Sequence, residues 1–262
     1  MSLQLERGVV GYWCPMLQTT GLAEYDRSVR KNRGTLTGMD AASDRVIAKV
    51  RNTAGRVLDF DGVNDYVALK PDATLYTMPF TVSTWALAKN TTQNMTIFSG
   101  GLSTNAIPFF YVVFRGDVAG DPIQVQMRGS NNLNSTFNGS SFVANRFYHV
   151  VAVFSSETLR TVYVDGVQGQ TDTTLHTATA LDRISIGSLV RNTTAVFLNG
   201  QVAEVGVWDR SLAASEIREI YRLGPGWFGK RSSRSLGYSE QFAAGFKAYW
   251  ARRQSQLIGG GL

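Results

Sequence analysis

The segment Thr161–Gly169, TVYVDGVQG, decides the fold class. β-branched and aromatic residues alternate with other residues on either side of Asp165-Gly166. An Asp-Gly pair tolerates positive φ at both central positions of a two-residue turn, so the segment predicts a tight antiparallel hairpin. The same texture recurs outward in both directions: GVVGYW (8–13), RVLDF (56–60), DYVALK (65–70), FTVSTWALA (80–88) and FFYVVF (109–114). PIQVQM (122–127), YHVVAVF (148–154), RISIGS (183–188) and QVAEVGVW (201–208) complete the set. Gly, Asn, Asp and Ser break these runs, as expected of strands joined by turns. No helical pattern of roughly 10–15 residues intervenes, which excludes βαβ units and a parallel sheet. The reading is an all-β protein with about ten to thirteen antiparallel strands in a two-sheet sandwich.

Composition narrows the function classes. The chain has 262 residues, 44% hydrophobic and 18% charged, which supplies a core and excludes a disordered chain. The single cysteine, Cys14, excludes an internal disulfide and a Cys-based zinc site. Two histidines, His149 and His176, do not make a His-rich metal centre. No apolar run of about 18 residues predicts a membrane span. The opening MSLQLERGVVGYW lacks a basic region followed by an apolar one, so no secretory signal is expected.

The net charge of +6 is concentrated at one end. Residues 225–262 hold Lys230, Arg231, Arg234, Lys247, Arg252 and Arg253 against Glu240 alone, which leaves the first 224 residues nearly neutral. Between the two parts, LAASEIREIYRLG (212–224) predicts one short helix, stopped by Gly224 and Pro225. A linker rich in Gly, Ser and Arg follows, and then SEQFAAGFKAYWARRQSQ (239–256). There Phe242, Phe246, Tyr249 and Trp250 follow helical i, i+4, i+7, i+8 spacing. Gly245 and the short length make such a helix marginal in water unless it docks. The division is therefore a sandwich over 1–224 and a basic, aromatic C-terminal arm over 225–262. Trp227, Phe228, Phe242, Phe246, Tyr249 and Trp250 are its candidate docking residues, with Arg252 and Arg253 pairing to acidic groups. A partner subunit, the chain's own sandwich, or nucleic acid or a lipid surface are the occupants considered, with nucleic acid the least favoured.

Several runs together resemble the concanavalin A-like, laminin G-like jelly-roll family. They are GVVGYWCPM, RVLDFDGVNDYVAL, PFTVSTWA, YHVVAVF, RTVYVDGVQ, RISIGS and NGQVAEVGVWDRSLAASEIREIY, in the family's order over about residues 8–223. The resemblance implies a single jelly-roll sandwich with a short helix after the last strand. The family spans glycan-binding modules, adhesion domains, structural proteins and some glycosidases, so fold alone does not choose a function. YRLGPGWFG and the terminal RRQSQLIGGGL resemble the ends of such domains in bacteriophage structural proteins. That implies a virion component assembled in the host cytoplasm, a head decoration or fibre-associated subunit. Its arm would bind a capsid or tail subunit or a second copy of itself. A carbohydrate-binding, lectin-like module is the alternative, and a glycoside hydrolase the third reading. One departure is local: Ala213 stands where the family places a capping Ser or Thr, while Glu216 keeps its capping-box position.

Glycosidases of this fold carry Glu-x-Asp-x-x-Glu or a near variant, placing the carboxylates on one face of a strand. None of Glu6, Glu24, Glu157, Glu204, Glu216, Glu219 and Glu240 begins that pattern. His149 reads as a half-buried strand residue, His176 has no nucleophile motif beside it, and Cys14 reads as a small buried hydrophobe. GPGWFGK (224–230) matches part of a phosphate-binding loop, but Arg231 replaces the Ser or Thr that binds Mg²⁺, and the segment follows a helix. No catalytic residue is therefore expected. Family members often hold Ca²⁺, and Asp61, Asn64 and Asp65 are the candidate oxygen ligands; a self-bonded turn is the competing reading. A glycan would use Asn131, Asn132 and Asn134 in the loop 129–141, with Tyr76, Phe109, Phe110 and Tyr111 as possible aromatic platforms. Trp13, Trp85 and Trp208 are expected in or beside the core.

Overall fold

The computed structural model describes residues 2–17, 21–69, 77–177 and 181–229. A short helix α1 (Ser2–Glu6) precedes β1 (Val9–Trp13), β2 (Ala23–Glu24), β3 (Gly34–Thr37), β4 (Arg45–Val50), β5 (Thr53–Asp61) and β6 (Tyr66–Leu69). Then come β7 (Phe80–Ala88), β8 (Asn94–Gly101), β9 (Phe109–Arg115), β10 (Pro122–Arg128), β11 (Asn134–Ser141) and β12 (Phe147–Ser156). The last strands are β13 (Leu159–Val164), β14 (Val167–Asp172), β15 (Arg183–Ile186), β16 (Leu189–Val190), β17 (Thr194–Ala195) and β18 (Asn199–Trp208). Helix α2 (Ala214–Leu223) and a 3₁₀ turn (Trp227–Gly229) follow.

The strands form two eight-stranded antiparallel sheets. One runs β14-β13-β12-β7-β18-β5-β4, with β1 also paired to β18; the other runs β11-β10-β9-β8-β15-β6-β3-β2. The Asp165-Gly166 turn closes β13 onto β14 as its sequence predicts, with φ 51° and 80° and Val164 opposite Val167. Between the sheets, Phe80, Val82, Val150 and Phe154 meet Phe98, Phe110, Val112 and Phe114 in one apolar cluster. Phe80 stacks on Phe154 at 4.3 Å, and Phe110 lies against both. This is the two-sheet jelly-roll sandwich expected.

The first sheet is covered on its outer face as well. All nine residues of β7 are buried. Its outward positions, Thr81, Ser83, Trp85 and Leu87, are buried along with the inward Phe80, Val82, Ala86 and Ala88. Three segments supply the cover. Leu5 of α1, Ile217 and Ile220 of α2, and Trp227 join Tyr12, Cys14, Val151, Val153 and Trp208 in a second apolar cluster. Helix α2 lacks a side-chain cap at Ala213; Glu216 instead accepts the Ala213 backbone N–H at 2.9 Å. Arg210 grips the same carboxylate with two bonds of 2.7 and 2.8 Å and holds it below the usual carboxylate range. The reciprocal half of the capping box is thus kept by a tethered carboxylate, while the half a hydroxyl at 213 would supply is missing.

Beyond Gly224, residues 225–229 turn back over β18. Trp227 is 2% exposed, stacks on Trp208 at 5.9 Å, and meets the edge of Tyr12. Phe228 stacks on Tyr12 at 4.7 Å. Beneath them the buried Glu204 accepts the Tyr12 hydroxyl and the Gly226 N–H, each at 2.5 Å. Burial first, and then the adjacent Glu204, push the Tyr12 phenol well up, so it remains a donor. The sandwich therefore extends past residue 224, and Trp227 and Phe228 belong to it. This differs from their expected place in a docking arm: the apolar surface exposed on β1 and β18 needs them.

His149 shows the same burial. It is fully buried on the outer face, its Nε2 lies 2.8 Å from Ser83 Oγ, and its ring lies against both Trp85 and Tyr221, which also stack on each other. Burial, with Arg51 adding repulsion, lowers its pKa to about 3. The unfolded chain takes up this proton near 6.5 and the folded chain only near 3. The stability it contributes is complete above the higher value and falls as pH drops between the two, by about 1.4 kcal/mol per pH unit for one proton. His149→Gln keeps a donor toward Ser83 and removes this proton, so urea unfolding of the variant should lose about one proton of pH dependence below neutrality. An unchanged slope would place His149 in water. Trp227→Ala should lower unfolding stability by about 3–5 kcal/mol in the same assay; a loss below about 1 kcal/mol would show that residues 225–229 do not pack on the sandwich.

Candidate functional site

The second sheet keeps part of its outer face open. Alternation along β9, β10 and β11 sends Phe110, Val112, Ile123, Val125 and Phe137 inward. Register places Tyr111 opposite Gln126 and Gln126 opposite Thr136; Gln124 stands opposite Asn138, and Arg128 opposite Asn134. The outward side chains bond across the strands. Tyr111 donates its hydroxyl to Gln126 Oε1 at 2.6 Å, and Gln126 Nε2 donates to Asn134 Oδ1 at 2.8 Å. One row over, Arg115 donates to Gln124 Oε1 at 3.0 Å, and Gln124 Nε2 to Asn138 Oδ1 at 2.8 Å. Burial pushes the Tyr111 phenol up, so it stays a proton donor in the first chain.

These two rows make a strip of planar amides fixed by one another. Each primary amide has two donors and two acceptor positions, so a row bonded end to end retains spare capacity toward a ligand. The hairpin β16–β17 walls one side, where Leu189 covers Phe109 and Tyr111 and Arg191 lies 5.1 Å over the Phe109 ring. Asp117 stands beside the strip with both oxygens on Arg115, at 2.7 and 3.1 Å, which holds its carboxyl below the usual range. It remains ionised and cannot serve as a proton donor near neutrality. The arrangement suits a ligand that offers many hydroxyls.

Only Asn134 of the three expected asparagines joins this strip. Asn131 donates to Leu175 O at 2.9 Å, and Asn132, at φ 62°, accepts from the Arg128 guanidinium at 2.9 Å. Both stabilise the β10–β11 turn. Of the aromatic platforms, Phe110 lies in the core, Phe109 and Tyr111 are under the hairpin, and Tyr76 lies outside the described residues. The calcium candidates form a self-bonded turn. Asp61 Oδ1 accepts the Val63 N–H at 2.7 Å, and Asp65 Oδ2 accepts the Asp61 N–H at 3.0 Å. Asn64 presses its carbonyl against Gly38, where a Cβ would come within 2.4 Å. Burial raises the Asp65 carboxyl. Among the described residues no three His, Cys, Asp or Glu side chains converge as metal ligands. Phe242, Phe246, Tyr249, Trp250, Arg252 and Arg253 lie outside the described residues.

One grouping was not visible in the sequence. His176 Nδ1 accepts the Gly129 N–H at 3.1 Å, and Nε2 lies 2.7 Å from Ser135 Oγ. Ser135 Oγ lies 2.8 Å from Asp172, which also accepts Arg160 Nε at 2.8 Å. Burial keeps the ring neutral, and the Gly129 bond forces its proton onto Nε2. His176 therefore donates to Ser135, and Ser135 donates to Asp172. A nucleophile needs the opposite sense, with the imidazole accepting the hydroxyl proton. The group ties β11 to β14 and activates nothing.

Comparison with known proteins follows this geometry. The solved structures share the fold at low identity. Domain 4 of an extracellular arabinanase from Geobacillus stearothermophilus, solved with arabinotriose, aligns with a TM-score of 0.60 and 17% identity over 80% of this chain and 97% of that one. The receptor-binding domain of a botulinum neurotoxin C/D mosaic serotype aligns at 0.60 and 12% identity, over 82% and 51%. Trypanosoma rangeli sialidase with sialic acid aligns at 0.57 and 19%, over 82% and 33%. The chain thus spans about half the length of the toxin domains it matches. No curated protein matches it. No helix among the described residues is long and apolar enough to cross a membrane. Residues 61–218 match the family described as the concanavalin A-like lectin/glucanases superfamily, and the chain belongs to that family.

Proposed function

We propose that this chain is a non-catalytic recognition module that binds carbohydrate across the β9–β11 strip. The observation that carries this reading is the pair of cross-strand rows, Tyr111–Gln126–Asn134 and Arg115–Gln124–Asn138. Sugars present paired donors and acceptors, which planar amides fixed in place meet with little loss of side-chain freedom. The arabinanase domain solved with arabinotriose, matched over nearly its whole length, supports a glycan as the ligand class. Non-catalysis is supported by the pairing of Asp117 with Arg115 and by the reversed hydrogen-bond sense at His176.

The segment after Gly229 attaches the module to a protein assembly in this reading. Its basic, aromatic composition and its resemblance to the ends of bacteriophage structural proteins make a virion the proposed setting, with a capsid or tail subunit as partner. The sandwich then holds its glycan-reading face outward.

Two experiments test the two halves. On a glycan array, the full chain should retain oligosaccharides, and Gln126→Ala should weaken the best of them about tenfold, the worth of one or two lost hydrogen bonds. Unchanged binding by both Gln126→Ala and Asn138→Ala would move the site elsewhere, and release of reducing sugar during incubation would make the protein a hydrolase. Truncation after Gly229 keeps Trp227 and Phe228, so Tm should hold while incorporation into particles is lost. Normal incorporation of the truncated chain would contradict the attachment role.

A further inference from the structure

At one end of the helix-covered sheet, three turns, β4–β5, β11–β12 and β13–β14, and helix α2 border an open pocket of about 360 Å³. Trp85, Phe147 and Tyr221 form its aromatic floor, and Lys49, Arg51 and Arg146 its basic rim. Asn145 and Asp165 complete the lining. The amide strip uses none of these residues.

The charges do not cancel. Asp165 spends one oxygen on Arg146 at 2.7 Å and the other on the His149 backbone N–H at 2.9 Å. Arg51 donates to the Tyr221 carbonyl at 2.8 Å and lies 4.1 Å over the Tyr221 ring, without a carboxylate. The Lys49 ammonium has no partner among the described residues. Two positive charges therefore stand uncompensated on one pocket.

The pocket also holds unused polar groups. Trp85 is 1% exposed, and its indole N–H has no hydrogen-bond partner among the described residues. That nitrogen is shut off from solvent, so the ring offers a ligand its apolar surface and not its N–H. Asn145 is held at φ 62° by its N–H to Ala88 O at 2.7 Å, and its side-chain amide is unpaired among the described residues. Arg51 is also left-handed, at φ 53°, a conformation that Gly or Asn adopts more readily than a long side chain. Tyr221 fixes it there. The positive φ belongs to the two-residue Arg51-Asn52 turn, where Val50 pairs with Thr53.

We propose that this pocket binds an anionic sugar residue, a pyranose bearing one carboxylate or sulfate ester. Lys49 and Arg51 hold the anion, Asn145 takes a ring hydroxyl, and the aromatic floor meets the apolar side of the ring. The volume fits one or two sugar rings and lies at the lower end of the range for small-ligand pockets. This site is independent of the amide strip. It reads charge on the first sheet, whereas the strip reads hydroxyls on the second.

Calorimetry on the full chain with glucuronic acid, glucose 6-sulfate, glucose and inorganic sulfate tests the proposal. Both anionic sugars should bind at millimolar concentration, at least tenfold more tightly than glucose or inorganic sulfate, with affinity falling as salt rises. Lys49→Glu should abolish this binding and Lys49→Arg retain it. Lys49 is exposed and unpaired, so Tm should not move in either variant. Gln126→Ala should leave the anionic sugars unaffected, which separates failure here from failure of the strip. Equal binding of glucose, equal binding of inorganic sulfate, indifference to Lys49→Glu, or no binding at all would each overturn the proposal.

Discussion

The burial of one sheet on both faces organises this molecule. Strands β7, β12 and β18 run through the centre of the first sheet, with the inter-sheet core on one side and Trp208, Val151 and Ile217 on the other. Such strands cannot use alternation to choose an inside, so chain from elsewhere must cover the second face. The N-terminal helix, α2 and residues 225–229 do this. Buried Glu204 makes the cover specific. Its carboxylate meets the Tyr12 hydroxyl and the Gly226 N–H only when β1, β18 and the returning segment are all in place. A buried carboxylate left without such donors would cost several kcal/mol, which makes a misplaced return of the chain unfavourable.

That constraint also positions the surfaces left for binding. With the first sheet sealed, the open part of the second sheet is a broad face on which strand register can align polar side chains. Gln126, Asn134 and Asn138 reach its surface, and Gln124 lies buried beside them. At the rim of the sealed sheet, turns that would otherwise be simple connections gather Lys49, Arg51, Asn145 and Asp165 over the edge of the ring stack. The helix contributes Tyr221 to that stack, so the covering that stabilises the sheet also builds the floor of the pocket.

Much of the fold was legible in the sequence because its signals are local. Asp165-Gly166 states its own turn, and the strand runs around Trp13, Trp85 and Trp208 place these rings in the interior, where they are 1%, 1% and 0% exposed. The double burial was not legible in FTVSTWALA, where Thr81 and Ser83 alternate with Phe80 and Val82 as on a half-exposed strand. The place of Trp227 was obscured by its neighbours: the Gly, Ser and Arg that follow read as linker, and the partners that claim it, Tyr12 and Trp208, are remote in sequence. The amide rows were illegible for a related reason. Gln126 and Asn134 form a pair only through register, and a one-residue slip would put Gln126 on the core face. The loop asparagines expected there are committed elsewhere: Asn131 ties the β10–β11 turn to Leu175, and Asn132 accepts from Arg128.

The central proposal is that a neutral glycan is met by the amide strip of the second sheet, while β7, β12 and β18 of the sealed sheet serve as frame. Hydrogen–deuterium exchange of the full chain, with and without a saturating neutral oligosaccharide retained on the array, tests this most directly. The account predicts added protection confined to β9, β10, β11 and the β16–β17 hairpin, with β7, β12 and β18 slow in both states. Protection appearing instead on α2 and the 225–229 segment, or fast exchange of β7 without ligand, would contradict it.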